Sequence, residues 1–190
     1  VEIGIKGASH DGKLLYNAAV FRTRDVNRAY ADTDNPGYFL SAGEVEVEGA
    51  EVEISGSPVR KLALTAGYAY LISRYEADRN NAGAAFSLFE PKHAFKLYGN
   101  YRVPNTPWTV GAGATLQSAI IGSGVAGLRE GGVHAVFNAQ LGYALNKQTR
   151  VTLAVNNLTD RRYYARVGGL NTYNIYGQPR SVSLNLRTHF

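Results

Sequence analysis

Arg180-Ser181-Val182-Ser183-Leu184-Asn185-Leu186-Arg187-Thr188-His189-Phe190 closes the chain, and its reading decides the rest. Val182, Leu184, Leu186 and Phe190 share one face with Thr188. Ser181, Ser183, Asn185, Arg187 and His189 share the other. Successive side chains of a strand point to opposite faces, so this period-two alternation predicts one β-strand running to the final residue. The same pattern recurs backwards along the chain. It predicts nine strands, at about 1–6, 13–22, 44–55, 61–75, 92–103, 107–121, 132–145, 149–158 and 180–190. Helical periodicity is not sustained anywhere.

Each strand has one face free of charge through its middle. Val133, Ala135, Phe137, Ala139, Leu141, Tyr143 and Leu145 make such a face, opposite His134, Asn138 and Gln140. Phe95, Leu97, Tyr101 and Val103 oppose Lys96, Tyr98, Asn100 and Arg102. Ala50, Val52 and Ile54 oppose Glu51 and Glu53, whereas Val45 and Val47 have the other parity, so a bulge is expected at Gly49. Charges that do share an apolar parity, such as Arg74, lie at a strand end. A lysine or arginine on a lipid face near the midplane costs ~2–4 kcal/mol, and the pattern avoids it. The apolar faces could equally pack on a second sheet; alternation alone does not separate a sandwich from a barrel.

Composition narrows the choice. The 190 residues include 13 tyrosines and 21 glycines but no cysteine, which excludes disulfides and thiolate metal sites. No run approaches the ~20 apolar residues of a membrane-spanning helix, so a closed β-barrel is the one membrane-spanning option. No signal peptide opens the chain at Val1, where a strand already begins. The net charge of +5 is spread singly, without a lysine or arginine run, so nucleic acid is not an expected partner.

The connections separate the two folds. Short turns at Gly7–Gly12, Gly56–Arg60, Pro104–Thr106 and Asn146–Gln148 alternate with long segments at Thr23–Gly43, Glu76–Pro91, Gly122–Gly131 and Thr159–Pro179. Outer-membrane barrels have short periplasmic turns and longer extracellular loops. The alternation therefore puts Trp108 and Phe190 at the periplasmic rim, and Arg129 and Tyr163 outside. Strands of ~10–15 residues suffice to cross at a tilt, for which ~9–11 are needed.

Val155-Asn156-Asn157-Leu158-Thr159-Asp160, then Tyr163-Tyr164, then Tyr176-Gly177-Gln178-Pro179-Arg180 and the last strand form an ordered set. With Gly49-Ala50-Glu51-Val52-Glu53-Ile54-Ser55-Gly56 and Leu64-Thr65-Ala66-Gly67-Tyr68-Ala69-Tyr70, this set is similar to TonB-dependent outer-membrane receptors of the ferric-siderophore type. The resemblance implies an all-β, antiparallel, up-and-down transmembrane barrel of 22 strands with a plugged lumen. About nine strands are here, so residues 1–190 read as the C-terminal portion of that barrel domain, with the plug domain absent. A nine-stranded piece has two unpaired edges and is expected to associate through them. The resemblance also implies ferric siderophore as ligand, outer-membrane lipid around the wall, and a TonB–ExbB–ExbD complex acting through the missing N-terminal part. It makes Phe190 an assembly signal for the barrel assembly machinery.

The long loops carry groups suited to an anionic iron chelate: Tyr30, Tyr38, Phe39, Arg79, Phe86, Phe89, Arg129, Arg162, Tyr164, Arg166, Tyr173 and Tyr176. Arginine attracts and hydrogen-bonds oxygen anions, and aromatic rings give rigid contact at low entropy cost. Outer loops of barrels are rich in these residues regardless of ligand. Glu51, Glu53, Lys96, Arg102, Arg150 and Arg187 face the lumen, where they would meet a plug or form cross-strand charge pairs. Three motifs are discounted. Gly122-Ser123-Gly124-Val125-Ala126-Gly127 has the dinucleotide fingerprint without a βαβ context. Asn157-Leu158-Thr159 is a glycosylation sequon, which a bacterial barrel would leave unused. His10, His93, His134 and His189 lack metal-ligand spacing. No cofactor is expected, since iron would arrive wrapped in its chelator, and no nucleophile–base pairing points to an enzyme. A passive porin-type channel or a soluble β-rich binding module are the alternatives to a receptor.

Overall fold

The computed structural model describes residues 1–78, 82–86, 90–121, 130–168 and 174–189. The strands are β1 (Glu2–Ala8), β2 (Leu14–Ala31), β3 (Phe39–Gly56), β4 (Leu62–Ala77), β5 (His93–Arg102), β6 (Trp108–Gln117), β7 (Ile120–Ile121), β8 (Glu130–Gly131), β9 (His134–Ala144), β10 (Thr149–Asn156), β11 (Tyr164–Arg166), β12 (Ile175–Tyr176) and β13 (Ser181–Thr188). Nine of them form one sheet in the order β1-β2-β3-β4-β5-β6-β9-β10-β13, each antiparallel to its neighbour. Two ribbons, β7–β8 and β11–β12, rise from the long loops. All nine expected strands are present. Two are much longer than expected: β2 runs on to Ala31, and β3 starts at Phe39. The expected loop of residues 23–43 is therefore mostly a hairpin, closed by residues 32–38. Tyr30 and Phe39 sit on strands rather than in a loop.

The ladder sorts the side chains as the alternation requires. Val155, Leu153 and Val151 pair with Val182, Leu184 and Leu186 on one side and with Ala139, Leu141 and Tyr143 on the other. Those in turn meet Ala112, Val110 and Trp108. One apolar face thus runs across neighbouring strands. Among the described residues, no second sheet covers it: Leu184 is 71% and Val110 46% exposed. A sandwich would bury these side chains, so the single sheet is a barrel wall. Along β4 the apolar face lasts from Leu62 to Ile72, roughly 33 Å of strand, or about 25 Å of height at a barrel's tilt. Aromatic groups mark both margins. Trp108 packs on Tyr143 (4.6 Å between ring centroids) at the turn end. At the loop end Tyr68 meets His93 Nδ1 at 2.8 Å, and Tyr70 lies 5.0 Å from the same ring.

No bulge occurs at Gly49, contrary to the expectation. Its pairs with Phe21 and Leu71 continue the register of their neighbours. The glycine makes room: a Cβ there would lie 2.4 Å from the Phe21 ring and 2.7 Å from Tyr70 O. Val45 and Val47 face inward, Val45 being 1% exposed, and the outward face above Ala50 turns from apolar to charged. The real register shifts are nearer the loop end, at Glu44/Val45 and between Asp25 and Ala29.

The short turns close by local chemistry. Asn146 Oδ1 accepts from Gln148 N (2.9 Å) and Thr149 N (2.7 Å). Asp11 accepts from Ser9 Oγ (2.7 Å) and Lys13 Nζ (2.7 Å), with Gly12 at positive φ. The Lys13 ammonium, then the Ser9 hydroxyl, hold the Asp11 carboxyl well below the usual carboxylate range.

Candidate ligand-binding loops and lumen wall

The loop of residues 157–180 is organised at its root by Asn157, which is 2% exposed. Asparagine tolerates the left-handed backbone it adopts, φ 50°. Its Oδ1 accepts from Arg161 N (2.8 Å); its Nδ2 donates to Arg161 O (2.9 Å) and Gln178 O (3.0 Å). Its own N–H donates to Asn138 Oδ1 on β9 (2.9 Å). Asp160 accepts from Arg180 N (3.0 Å), so the loop's two ends are tied together. In the sequence Asn157 drew notice as part of the family-like run 155–160 and of a sequon, not as a structural residue. Its structural task could have been read from an Asn before a turn.

Above this clasp the aromatics assemble. Tyr164 and Tyr176, both expected at the ligand, stack at 4.7 Å with hydroxyls 3.2 Å apart. Tyr163 stacks on His134 at 4.4 Å, and a Cβ on Gly177 would run into the Tyr163 ring. His134 is buried there with Nδ1 3.3 Å from Gly132 O. Val167 is buried against Gly131 of β8, which joins the two ribbons. Arg162 and Arg166 are exposed.

The other candidates lie apart. Tyr38 and Phe39 are 72% and 71% exposed at the β2–β3 tip. Phe86 meets Tyr75 edge-on at 5.3 Å and carries the Arg28 guanidinium over its ring at 4.5 Å. Arg28 escaped the sequence reading because the contact joins β2 to the segment after β4, distant in sequence. Tyr30 pairs with Leu40 along the β2–β3 ladder. Arg79, Phe89, Arg129, Tyr173 and Phe190 lie outside the described residues, as does the glycine-rich run 122–127.

The inner face is polar. Glu51, Glu53 and Lys96 line a concavity of ≈ 570 Å³ with Asn17, Thr65 and Tyr98. Cross-strand charge pairing does not occur there. The ladder sets Glu51 beside Ala19 and Ala69, Glu53 beside Asn17 and Gly67, and Lys96 beside Gly67 and Thr115. Arg102 faces Thr109, and Arg150 faces Arg187. Among the described residues none of these six charges has an ion-pair partner.

The outer face at the loop end is the opposite. Glu46, whose side chain has no exposed surface, receives Arg24 Nε at 2.8 Å and is also gripped by Arg22 and Arg74. Glu44, Glu48 and Glu76 complete the network. Its signal was in the sequence, as Arg22 and Arg24 against Glu44, Glu46 and Glu48 at period two. Reading it needed the β2–β3–β4 register.

Residues 1–158 of this wall, apolar outside and polar inside, match the family model described as TonB dependent receptor-like, β-barrel. The chain belongs to this family. It is a family of transport receptors, and the sheet is outer-membrane barrel wall. The ferric-pyoverdine M114 receptor PbuA of Pseudomonas sp. (strain M114) is 32% identical over 201 residues, covering all of this chain and 24% of PbuA. The catecholate siderophore receptor Fiu of Escherichia coli (strain K12) is 31% identical over 196 residues, covering all of this chain and 25% of Fiu. The crystal structure of the ferripyoverdine receptor of the Pseudomonas aeruginosa outer membrane, bound to ferripyoverdine, superposes with a TM-score of 0.85 at 27% identity, over 98% of this chain and 26% of that one. The chain thus spans about a quarter of the length of the relatives it matches.

Proposed function

We propose that this TonB-dependent receptor chain is part of an outer-membrane receptor that binds a ferric siderophore outside the cell and imports it with TonB-supplied energy. The observation that carries this reading is the nine-stranded wall itself: it superposes on a receptor solved with ferripyoverdine, and it is 32% identical to a ferric-pyoverdine receptor.

In this reading the clasped 157–180 loop, with Tyr164, Arg166 and Tyr176, and the tips with Tyr38, Phe39 and Phe86 meet the chelate. Arg79, Phe89, Arg129, Arg162 and Tyr173 belong to the same candidate set. Stacked tyrosines offer rigid apolar surface with hydroxyls at its edge, and arginines attract the negative charge of an anionic iron chelate such as a catecholate one. In this reading iron stays with its chelator, so no metal ligands are asked of the chain. In this reading the six inner charges would contact a plug filling the lumen. Energy would come from a TonB–ExbB–ExbD complex through the part of the receptor outside these 190 residues, and Phe190 would guide insertion by the assembly machinery.

The test is binding of a panel of ferric siderophores to the full-length receptor in detergent. Binding of at least one ferric siderophore, with the iron-free form weaker, is expected. Binding to none of them, with an iron-free ligand held instead, overturns the assignment.

A further inference from the structure

On the outward face a recess of ≈ 640 Å³ dips into the apolar wall near its turn end. Its floor is Gly99, Ala112 and Ala114. The ladder explains the dip. Leu64, Gly99 and Ala112 follow one another across β4, β5 and β6, and one row higher Leu97, Ala114 and Phe137 follow one another across β5, β6 and β9. Small residues thus sit together between large ones. Leu62 and Leu64 form one side: a Cβ on Gly99 would lie 3.9 and 3.7 Å from their Cδ1 atoms, in ordinary contact. Tyr101 and Val110 close the row nearest the turns. Leu64 is the third residue of β4, so the dip begins about 7 Å of strand above the 57–61 turn.

That turn carries Arg60 and Lys61, both exposed and without an ion-pair partner among the described residues. The short turns at 9–13, 57–61, 103–107 and 145–148 together carry Lys13, Arg60, Lys61 and Lys147 against a single carboxylate, Asp11, which Lys13 already holds at 2.7 Å. An apolar recess with open cations at its mouth suits a molecule with a methylene tail and an anionic head. We propose that the recess and the 57–61 turn form a site for one anionic phospholipid of the periplasmic leaflet, an acyl chain lying over Gly99 and Ala112 and the phosphate at Arg60 and Lys61. The recess is on the face that meets lipid, so an acyl chain reaches it without leaving the bilayer. An unbranched tail fills a dip one small residue deep, which the bulky wall of a neighbouring barrel would bridge. A second copy of this chain would bring the same basic turns to the same depth, setting like charges against each other. Moving from lipid into the recess gives the tail no hydrophobic gain, so selection comes from van der Waals fit over the floor and from charge at the mouth. The site needs only the barrel wall and is independent of what the loops bind.

The experiment uses purified full-length receptor in detergent, titrated with phosphatidylglycerol or phosphatidylethanolamine, with retained lipids counted by native mass spectrometry. One phosphatidylglycerol is expected to be held in preference to phosphatidylethanolamine. Arg60→Gln with Lys61→Gln should weaken its retention by about five- to thirtyfold, the scale of one or two cations at a charged headgroup, while Lys147→Gln at a different turn leaves it unchanged. Gly99→Leu with Ala112→Leu fills the recess and should weaken retention of both lipids. Leucine suits a lipid-facing strand position, and heat-dependent gel mobility checks that each variant folds; Ala112→Leu alone stands in if the double variant does not. Equal retention of the two lipids, no tightly held lipid, unchanged retention in either double variant, or an equal loss from Lys147→Gln overturns the proposal. So does a lipid-free dimer that filling the recess abolishes, which would give the recess to a second copy.

Discussion

Two sets of charges on neighbouring strands behave in opposite ways. On the outer face, at the loop ends of β2, β3 and β4, Arg22, Arg24 and Arg74 interlock with Glu44, Glu46, Glu48 and Glu76. On the inner face, a few residues lower, Glu51, Glu53 and Lys96 have no ionic partner within the described chain. Both sets stand on rigid ladder positions, so side-chain freedom is not the difference. What differs is the neighbour each face anticipates. The outer set rises just above the apolar band and must be complete in itself. The inner set lines a polar concavity and leaves its charges open.

Four measurements on the full-length receptor break or sharpen that contrast. The largest effect tests the faces themselves. Leu141→Arg, on the apolar face, should destabilise the barrel by ~2–4 kcal/mol, whereas Gln140→Arg on the inner face should be tolerated. Urea unfolding of receptor reconstituted in vesicles checks it, and equal losses from both would reverse the assignment. Next comes the interlocked set. Glu46→Gln leaves three arginines without their shared carboxylate and should lower stability in the same assay, with the wild-type advantage reduced in high salt. Neutralising Glu51 and Glu53 together should shift barrel unfolding by less than about 0.5 kcal/mol, since no bond within the sheet is lost. A large shift there would mean that the inner set is paired within the wall. The smallest effect is at the 9–13 turn. The Asp11 carboxyl titrates below its ordinary 3.8, so its contribution is full above that value and fades as pH falls through the depressed folded value. Acid unfolding of Asp11→Asn should lack this fraction of the pH dependence; identical acid curves would remove the turn from the account.

How much could be read from sequence follows the same divide. β9, β10 and β13 were legible because each alternates cleanly between a bilayer and a lumen, and a four-residue turn joins the first two. The part of β2 beyond Arg22 and the first residues of β3, 39–43, were not. There the outward face meets water above the headgroups, Arg24 takes the apolar parity, and the pattern reads as loop. Gly49 read as a bulge for the same reason: the parity of the apolar residues changes there, while the backbone does not. The ribbons β7–β8 and β11–β12 are too short to carry a period, and they are held by tertiary contacts such as Val167 against Gly131. At the candidate site, Tyr164 and Tyr176 were recognised by type, but their stacking, the His134–Tyr163 pair and Arg28 over Phe86 depend on contacts distant in sequence.

The clasp at Asn157 has a consequence for how such a receptor can change its taste. With both ends of the loop tied to the rim, the residues between them form a closed excursion whose length the wall hardly feels; doubling such a loop costs only about 0.6 kcal/mol of closure entropy. Tips can then be lengthened, shortened or exchanged between receptors as grafts cut at Asn157 and Arg180, with the staves beneath left untouched.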